Sequence, residues 1–264
     1  MSWIMGEPFD AIGFCVTDPA AYHALAEEAH HHGAVSRVRR EKATLHGCCW
    51  HLGEGLEVWT VLHESPEGFF YADCRPAFRS RHLVTLFPWE ITEYEADGEA
   101  VVRAVDVATN AELVFELQNM TEINPSALGD QAITATVSGL AYRAQLSARK
   151  NRPMLMPLSR RRKRKSSAEN DYVIRGPILA WRELKNPRTA SDLILATVDT
   201  GTLKLEVLVN RADSTGEIRQ GMTLSADVWL QGYILTEREL LLRYEGVDLE
   251  TSPKLFWSAL RREH

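Results

Sequence analysis

Histidine, cysteine and carboxylate side chains are the first places to look for chemistry, and this sequence crowds them toward one end. Eight of its nine histidines lie between His23 and His82. On one predicted helix, His23, Glu27 and His31 fall at i, i+4 and i+8, which stacks them on a single face. Two imidazoles and a carboxylate so placed are a ligand set for zinc or nickel. The order is not that of a His-Glu-x-x-His metalloprotease helix, and the solvent face of an amphipathic helix has the same appearance. The neighbouring His30, His31 and His32 also suit the negative end of the helix dipole.

A second concentration sits in a predicted hairpin over Lys42–Leu62, which carries His46, His51 and Glu57, with His63 just beyond it. A three-residue turn at Gly53–Gly55 sets His51 opposite Glu57 and Cys49 opposite Trp59. A two-residue turn at Glu54-Gly55 sets Trp50 opposite Trp59 and His46 opposite His63. A slip of one residue changes which side chains meet, so both registers stay open. His51 and Glu57 are the acid–base candidates of this hairpin.

Cys74 is the thiol candidate. Arg75, Arg79, Arg81 and His82 follow it, and cationic neighbours favour a thiolate. The same arginines, read as a loop in an acidic region, suit recognition of carboxylate or phosphate, or pairing with nearby Asp and Glu. A third cationic feature is the run Arg160, Arg161, Arg162, Lys163, Arg164 and Lys165. Six adjacent positive charges repel one another and bury nothing. They read as a solvated linker, as a strap for the acidic region, or as a contact for a polyanion.

These residues need elements to position them. Asp18 and Pro19 start a helix whose Tyr22, Leu25, Ala26 and Ala29 recur at core spacing, and Gly33 stops it. A strand is predicted before it, over Ala11–Val16. After it, β patterns run to about Ala148, with turns at Ala96-Asp97-Gly98 and Ala108-Thr109-Asn110. Strands resume over Tyr172–Trp181, Asp192–Asp199, Leu203–Asn210 and Met222–Leu235. Two helical pieces, Thr236–Tyr244 and one opening at Ser252-Pro253, end the chain. The last carries Leu255, Phe256, Ala259 and Leu260 on one side. No internal repeat is visible.

The expected fold is α+β and mostly β. An antiparallel sheet with one packed helix occupies 1–150, a basic linker 151–170, and a small β domain with a C-terminal helix 171–264. Charge follows the same division. Residues 1–150 carry 11 Lys and Arg against 21 Asp and Glu, or −10; residues 151–170 carry 7 against 1, or +6; residues 171–264 carry 12 against 14, or −2. The two expected domains therefore lack the basic balance of a nucleic-acid binder. No apolar stretch approaches the roughly 20 residues of a membrane span. The opening residues lack signal-peptide character. Cys15, Cys48, Cys49 and Cys74 have no CxxC spacing, so reduced thiols in a cytoplasmic protein are expected. Gly53-Glu54-Gly55 has no helix after it to receive a phosphate, and no Gly-x-Ser-x-Gly elbow occurs.

The stretch Tyr172–Ile234 resembles an OB-fold. Its late strand, Gly221-Met222-Thr223-Leu224-Ser225-Ala226-Asp227-Val228-Trp229-Leu230, opens after a glycine turn. The resemblance covers about a quarter of the chain and implies a small barrel able to bind single-stranded nucleic acid or oligosaccharide. Trp181, Trp229 and Tyr233 would then be stacking platforms or core; packing is the expected role of Trp229. The opening unit also resembles half a vicinal-oxygen-chelate module, but Ile12-Gly13-Phe14-Cys15-Val16 has no metal-binding histidine, so that function is not carried over.

The sequence thus points first to a cytoplasmic binding or interaction protein that needs no cofactor, with another protein as partner. One rival is single-stranded nucleic-acid binding by the OB-like part and the basic run. The other is a metal- or thiol-dependent enzyme built on the residues before 150.

Overall fold

In the computed structural model, residues 7–40, 43–124, 131–161 and 168–236 are described. The chain opens with a single helical turn, α1 (Glu7–Asp10), and then the expected helix, α2 (Pro19–His32). Asp18 Oδ1 accepts the Ala21 amide at 2.9 Å, and Leu25, Ala26 and Ala29 are buried. Gly33 ends α2 without the left-handed turn that glycine often supplies there, since its φ is −73°. Its smallness is what counts: a Cβ would lie 2.7 Å from the Ala29 carbonyl oxygen and 3.0 Å from Cys48 Cβ.

The strand expected over Ala11–Val16 does not form. Gly13 takes φ +86°, and the Gly13 and Phe14 amides fold back onto the carbonyls of Asp10 and Phe9. Ile12, Phe14 and Val16 are nonetheless buried, as an apolar plug held by a loop.

Four strands follow: β1 (Ala34–Arg39), β2 (Thr44–Gly53), β3 (Leu56–Ser65) and β4 (Gly68–Phe78). They form an antiparallel sheet in chain order. The remainder is β5 (Leu83–Tyr94), β6 (Glu99–Asp106), β7 (Glu112–Leu117), β8 (Ile133–Ser147), β9 (Met154–Pro157), a helical turn α3 (Leu158–Arg161), β10 (Asp171–Lys185), β11 (Asp192–Asp199), β12 (Lys204–Asn210), β13 (Ser214–Thr215) and β14 (Thr223–Ile234). These ten strands belong to one large mixed sheet. The protein is therefore mostly β, of α+β type.

The pairing of the large sheet closes two five-strand rings that share β8 and β14. In the first, β5, β6 and β7 form an antiparallel meander. Then β8 pairs back onto β5, and β14 closes the ring by running parallel to β7 and antiparallel to β8. In the second, β10, β11 and β12 form the meander. There β14 pairs back onto β10, and β8 closes the ring by running parallel to β12. Each half is three strands and a long fourth, and each lends its fourth strand to the other. In both, the first strand is bent at a bulge, between Pro88 and Glu90 in β5 and between Ile178 and Ala180 in β10. The repeat that the sequence does not display is present in the topology.

The division expected at 151–170 separates segments of sequence, not sheets: β8 lies before it and is hydrogen-bonded to β12 and β14 after it. One apolar cluster runs through both rings, from Leu86, Val102 and Phe115 to Ile174, Val207 and Val228. Close approach is built in where strands cross. A Cβ on Gly176 would lie 1.8 Å from the Asp199 carbonyl oxygen, and one on Gly232 would lie 2.5 Å from the Phe115 ring.

A second cluster covers the outside of the second meander. Phe9, Ile12 and Phe14 pack there with Leu184, Leu193, Leu195, Leu208 and Trp229. Trp229 is thus core, on the opposite face of β14 from Val228 and Leu230, as alternation requires. Of the basic run, Arg160 and Arg161 end α3, and Arg162, Lys163, Arg164 and Lys165 lie outside the described residues, as do both expected C-terminal helical pieces apart from Thr236. No helix among the described residues is long and apolar enough to cross a membrane.

Candidate functional site

The β2–β3 hairpin resolves its register in a way that combines both expectations. The turn is the two-residue kind: Glu54 and Gly55 have φ +57° and +85°, and Gly53 pairs with Leu56. A bulge between His51 and Gly53 then shifts the ladder, so that His51 meets Glu57 and Cys49 meets Trp59. Those are the pairs of the three-residue alternative. Because side chains alternate across a strand, Cys49, His51, Glu57 and Trp59 share one face, and that face turns toward the end of β14.

There Glu57 is the centre of a buried network. Its side chain is only 2 % exposed. Oε1 accepts from Arg79 Nε at 3.0 Å and faces His51 Nδ1 at 3.0 Å. Oε2 accepts from Trp59 Nε1 at 2.9 Å and from the Tyr233 hydroxyl. The Arg79 guanidinium lies over the Tyr233 ring, 4.4 Å from its centroid. Burial works against a charge on Glu57, but Arg79 and then His51 outweigh it and hold the carboxyl below the usual carboxylate range. Burial, and next the Glu57 charge, push both the Cys49 thiol and the Tyr233 phenol well up. The network thus contains a fixed carboxylate, a fixed guanidinium and a thiol that keeps its proton.

Cys49 Sγ, His51 Nδ1 and a Glu57 oxygen lie within 4.8 Å of one another, and they are ligand types that zinc accepts. Their surroundings do not favour a cation. Arg79 already neutralises Glu57, and each carboxylate oxygen already faces two donors. A metal would have to displace a charged donor from a buried carboxylate, which is costly.

A second buried network lies across the sheet. Arg75, expected in a loop, is in strand β4 and buried. Its Nη1 donates to Asp73 at 3.0 Å and to the Gly98 carbonyl at 2.6 Å; its Nε donates to Gln118 at 3.0 Å and lies 3.5 Å from Glu116. Burial outweighs the Arg75 charge at Glu116 and pushes its carboxyl up to about 8. Next door, the Tyr22 hydroxyl accepts the Cys74 amide at 2.9 Å and donates to the Cys74 carbonyl at 3.3 Å. Burial first, then the Asp73 charge, push the Tyr22 phenol up to about 12 and raise the Cys74 thiol as well. The thiolate that cationic neighbours were expected to favour at Cys74 is therefore disfavoured. Arg75 points its charge at carboxylates, and burial decides the rest.

A family model described as "Domain of unknown function, E. rectale Gene description (DUF3881)" matches residues 164–232. No curated protein and no solved structure matches. The family match takes in the second meander and most of β14. It leaves out the hairpin, Arg79 and Tyr233, so it contributes nothing to the chemistry of the Glu57 network.

The remaining sequence candidates are dispersed. His23, Glu27 and His31 are exposed on α2. They do not gather: His23 packs edge-on to Tyr22 and Tyr71, and His31 to His32. Arg81 is exposed, and its amide donates to Glu206 at 2.9 Å. All four cysteines are free thiols. Sequence reasoning missed Tyr233 as a partner of Glu57, 176 residues away, and no local signal could have supplied it.

Proposed function

We propose that this chain works as a binding protein rather than an enzyme, with another protein as its partner. One contrast carries the reading. The Glu57 and Arg75 networks enclose and saturate their charged side chains, whereas large apolar side chains stand in solvent at the end of an edge strand. Phe69 is 63 % exposed and Phe70 52 %, and Tyr71 follows them. Exposed apolar groups of this kind mark interaction surfaces. Among the described residues β4 pairs only with β3. Tyr22 occupies its backbone at Cys74 and leaves the Gly68–Tyr71 end for a further strand. An extended, apolar peptide segment added along that edge is the partner that fits. A cytoplasmic setting is supported by the four free thiols.

The test separates surface from interior. In cells that depend on the protein, replacing Phe69 and Phe70 together by Ser should abolish function at unchanged abundance. His51→Gln and Cys74→Ser should leave it intact. A folded, abundant Cys74→Ser or His51→Gln protein without function would refute the proposal and return the chemistry to these side chains.

A second reading, nucleic-acid binding, has one observation in its favour. The ring of β8, β12, β11, β10 and β14 is a closed five-strand barrel with one parallel pair, in keeping with the OB-like reading of this region. Exposed Arg149, Lys150 and Arg152 lie on the connection that leads from β8 to the basic run. Of the three aromatic candidates, Trp229 and Tyr233 are buried, which leaves Trp181 in β10, 37 % exposed, as the one platform that a base could stack on. A labelled single-stranded oligonucleotide titrated at low salt decides it: a steep loss of affinity with added salt supports this reading, and no binding ends it.

A further inference from the structure

The two rings differ in how their outer faces are finished, and the difference points to a covering that the described residues do not supply. Outside the second meander, Phe9, Ile12 and Phe14 seal Leu193, Leu195 and Leu208. Two hydrogen bonds pin this cover in place: Asn186 Nδ2 to the Ile12 carbonyl and Asn210 Nδ2 to the Asp10 carbonyl, both at 2.7 Å. Outside the first meander, the equivalent strands show bare apolar side chains. Leu83, Phe87 and Trp89 project from β5, with Trp89 57 % exposed, and Val107 stands exposed at the end of β6. Phe87 lies directly across from half-buried Val105, and the Val107 amide bonds the Thr85 carbonyl, so these side chains form one continuous patch.

We propose that residues 237–264 of the same chain seat on this patch. Three further observations agree. First, the chain leaves the described structure beside it: the Leu235 amide bonds the Thr134 carbonyl at 2.9 Å, and Thr134 is the direct β8 partner of Thr85. Second, the 28 residues that follow are long enough to reach across a few strands spaced about 4.8 Å apart. Third, their composition suits the task. Leu255, Phe256, Ala259 and Leu260 recur at helical spacing, so a single apolar stripe would meet a single apolar patch. The molecule would then finish both meanders in one way, with its N-terminal segment on one and its C-terminal segment on the other. This surface is separate from the Phe69–Tyr71 edge, and the inference stands whether or not that edge binds a partner.

Hydrogen–deuterium exchange on the full chain tests it. In the wild-type protein, peptides covering 252–262 should exchange at least about tenfold more slowly than an unprotected chain. Phe87→Glu on the patch, and separately Leu255→Glu with Phe256→Glu on the tail, should each abolish that protection. Each should also speed exchange in 83–89 and leave β11 and β12 unchanged, which shows that the fold is kept. Trp89→Ser serves as the milder patch variant if Phe87→Glu disturbs β5. Unprotected tail peptides in the wild-type protein would overturn the proposal, as would protection that survives both patch substitutions. Protection that disappears on dilution would overturn it too, since the patch would then hold the tail of a second copy.

Discussion

The two meanders share one pairing plan and differ in what lies on them. β10–β12 is sealed on its outer side by a plug from the N-terminal segment, with Trp229 beneath it. β5–β7 carries Phe87, Trp89 and Val107 in the open. The inner sides are alike, and a single apolar cluster fills both rings. Strand pairing and interior packing therefore fix the rings. The outer faces are where the two halves have been put to different uses. The four-stranded sheet adds to the difference. Its Glu57 network grips Tyr233 at the end of β14, and its Arg75 network grips Glu116 and Gln118 at β7.

The largest expected effect falls on the closest approaches between strands of the rings. Gly176→Val would press a branched side chain onto the Asp199 carbonyl, where even a Cβ lies at 1.8 Å. Loss of more than about 3 kcal/mol, or of cooperative unfolding, is expected in urea denaturation followed by circular dichroism. Gly232→Ala, against the movable Phe115 ring, should cost less, about 1–3 kcal/mol. A wild-type midpoint for Gly176→Val would break the claim that β10 and β11 approach so closely at the start of the second meander.

Removing the charge that joins the small sheet to β14 comes next. Glu57→Ala leaves Arg79 buried without its main counter-ion and should cost about 3–5 kcal/mol by the same measurement. Glu57→Gln keeps the shape and one accepting oxygen but turns an NH2 toward donors at the other position, so it should recover only part of that loss. The pH dependence has a definite sign. The folded-state pKa of Glu57 lies below its unfolded value, so this stabilisation is present above the ordinary carboxylate range and is lost as pH falls below it. Equal stability of wild type and Glu57→Ala at neutral pH would remove Glu57 from the joint.

The covered and bare faces can be compared directly. Ile12→Ala deletes a fully buried side chain from the plug and should cost about 2–4 kcal/mol. Phe87→Ala, on a side chain 43 % exposed, should cost about 1 kcal/mol or less. Equal losses would mean that the patch is as deeply covered as the plug.

A separate, pH-dependent effect concerns Glu116, on the strand whose parallel contact closes the first ring. Its folded value of about 8 lies above the usual carboxylate value, so the folded state holds a proton that the unfolded state releases. Stability from this group is full in acid and declines as pH rises from the carboxylate range through about 8. Glu116→Gln should flatten that decline in thermal melts between pH 5 and 8, roughly the window between the two values. An unchanged slope would count against a proton at Glu116.

Much of this was legible in local pattern. Alternation of apolar residues marked the strands, and Asp18-Pro19 marked the start of α2. The positions of Gly53 and Gly55 marked the hairpin but left its register open, because a bulge depends on neighbours outside the hairpin. Ala11–Val16 was misread because an apolar run of five or six residues suits a buried loop as well as a strand; the positive φ of Gly13 decided it. Arg75 and Arg79 looked like surface cations because their carboxylate partners are remote in sequence.

Sequence by itself determined the β-rich class, the helix and its caps, the uneven charge and the pairing candidates His51 with Glu57. These follow from periodicities of two and 3.6 residues and from local backbone preferences, which any segment carries within itself. Tertiary structure alone decided that β8 and β14 serve two rings, that Tyr233 and Arg79 hold Glu57, and that Cys74 keeps its proton. The reason is physical: ring closure, burial and long-range ion pairing depend on which distant segments meet, and only the folded chain brings them together.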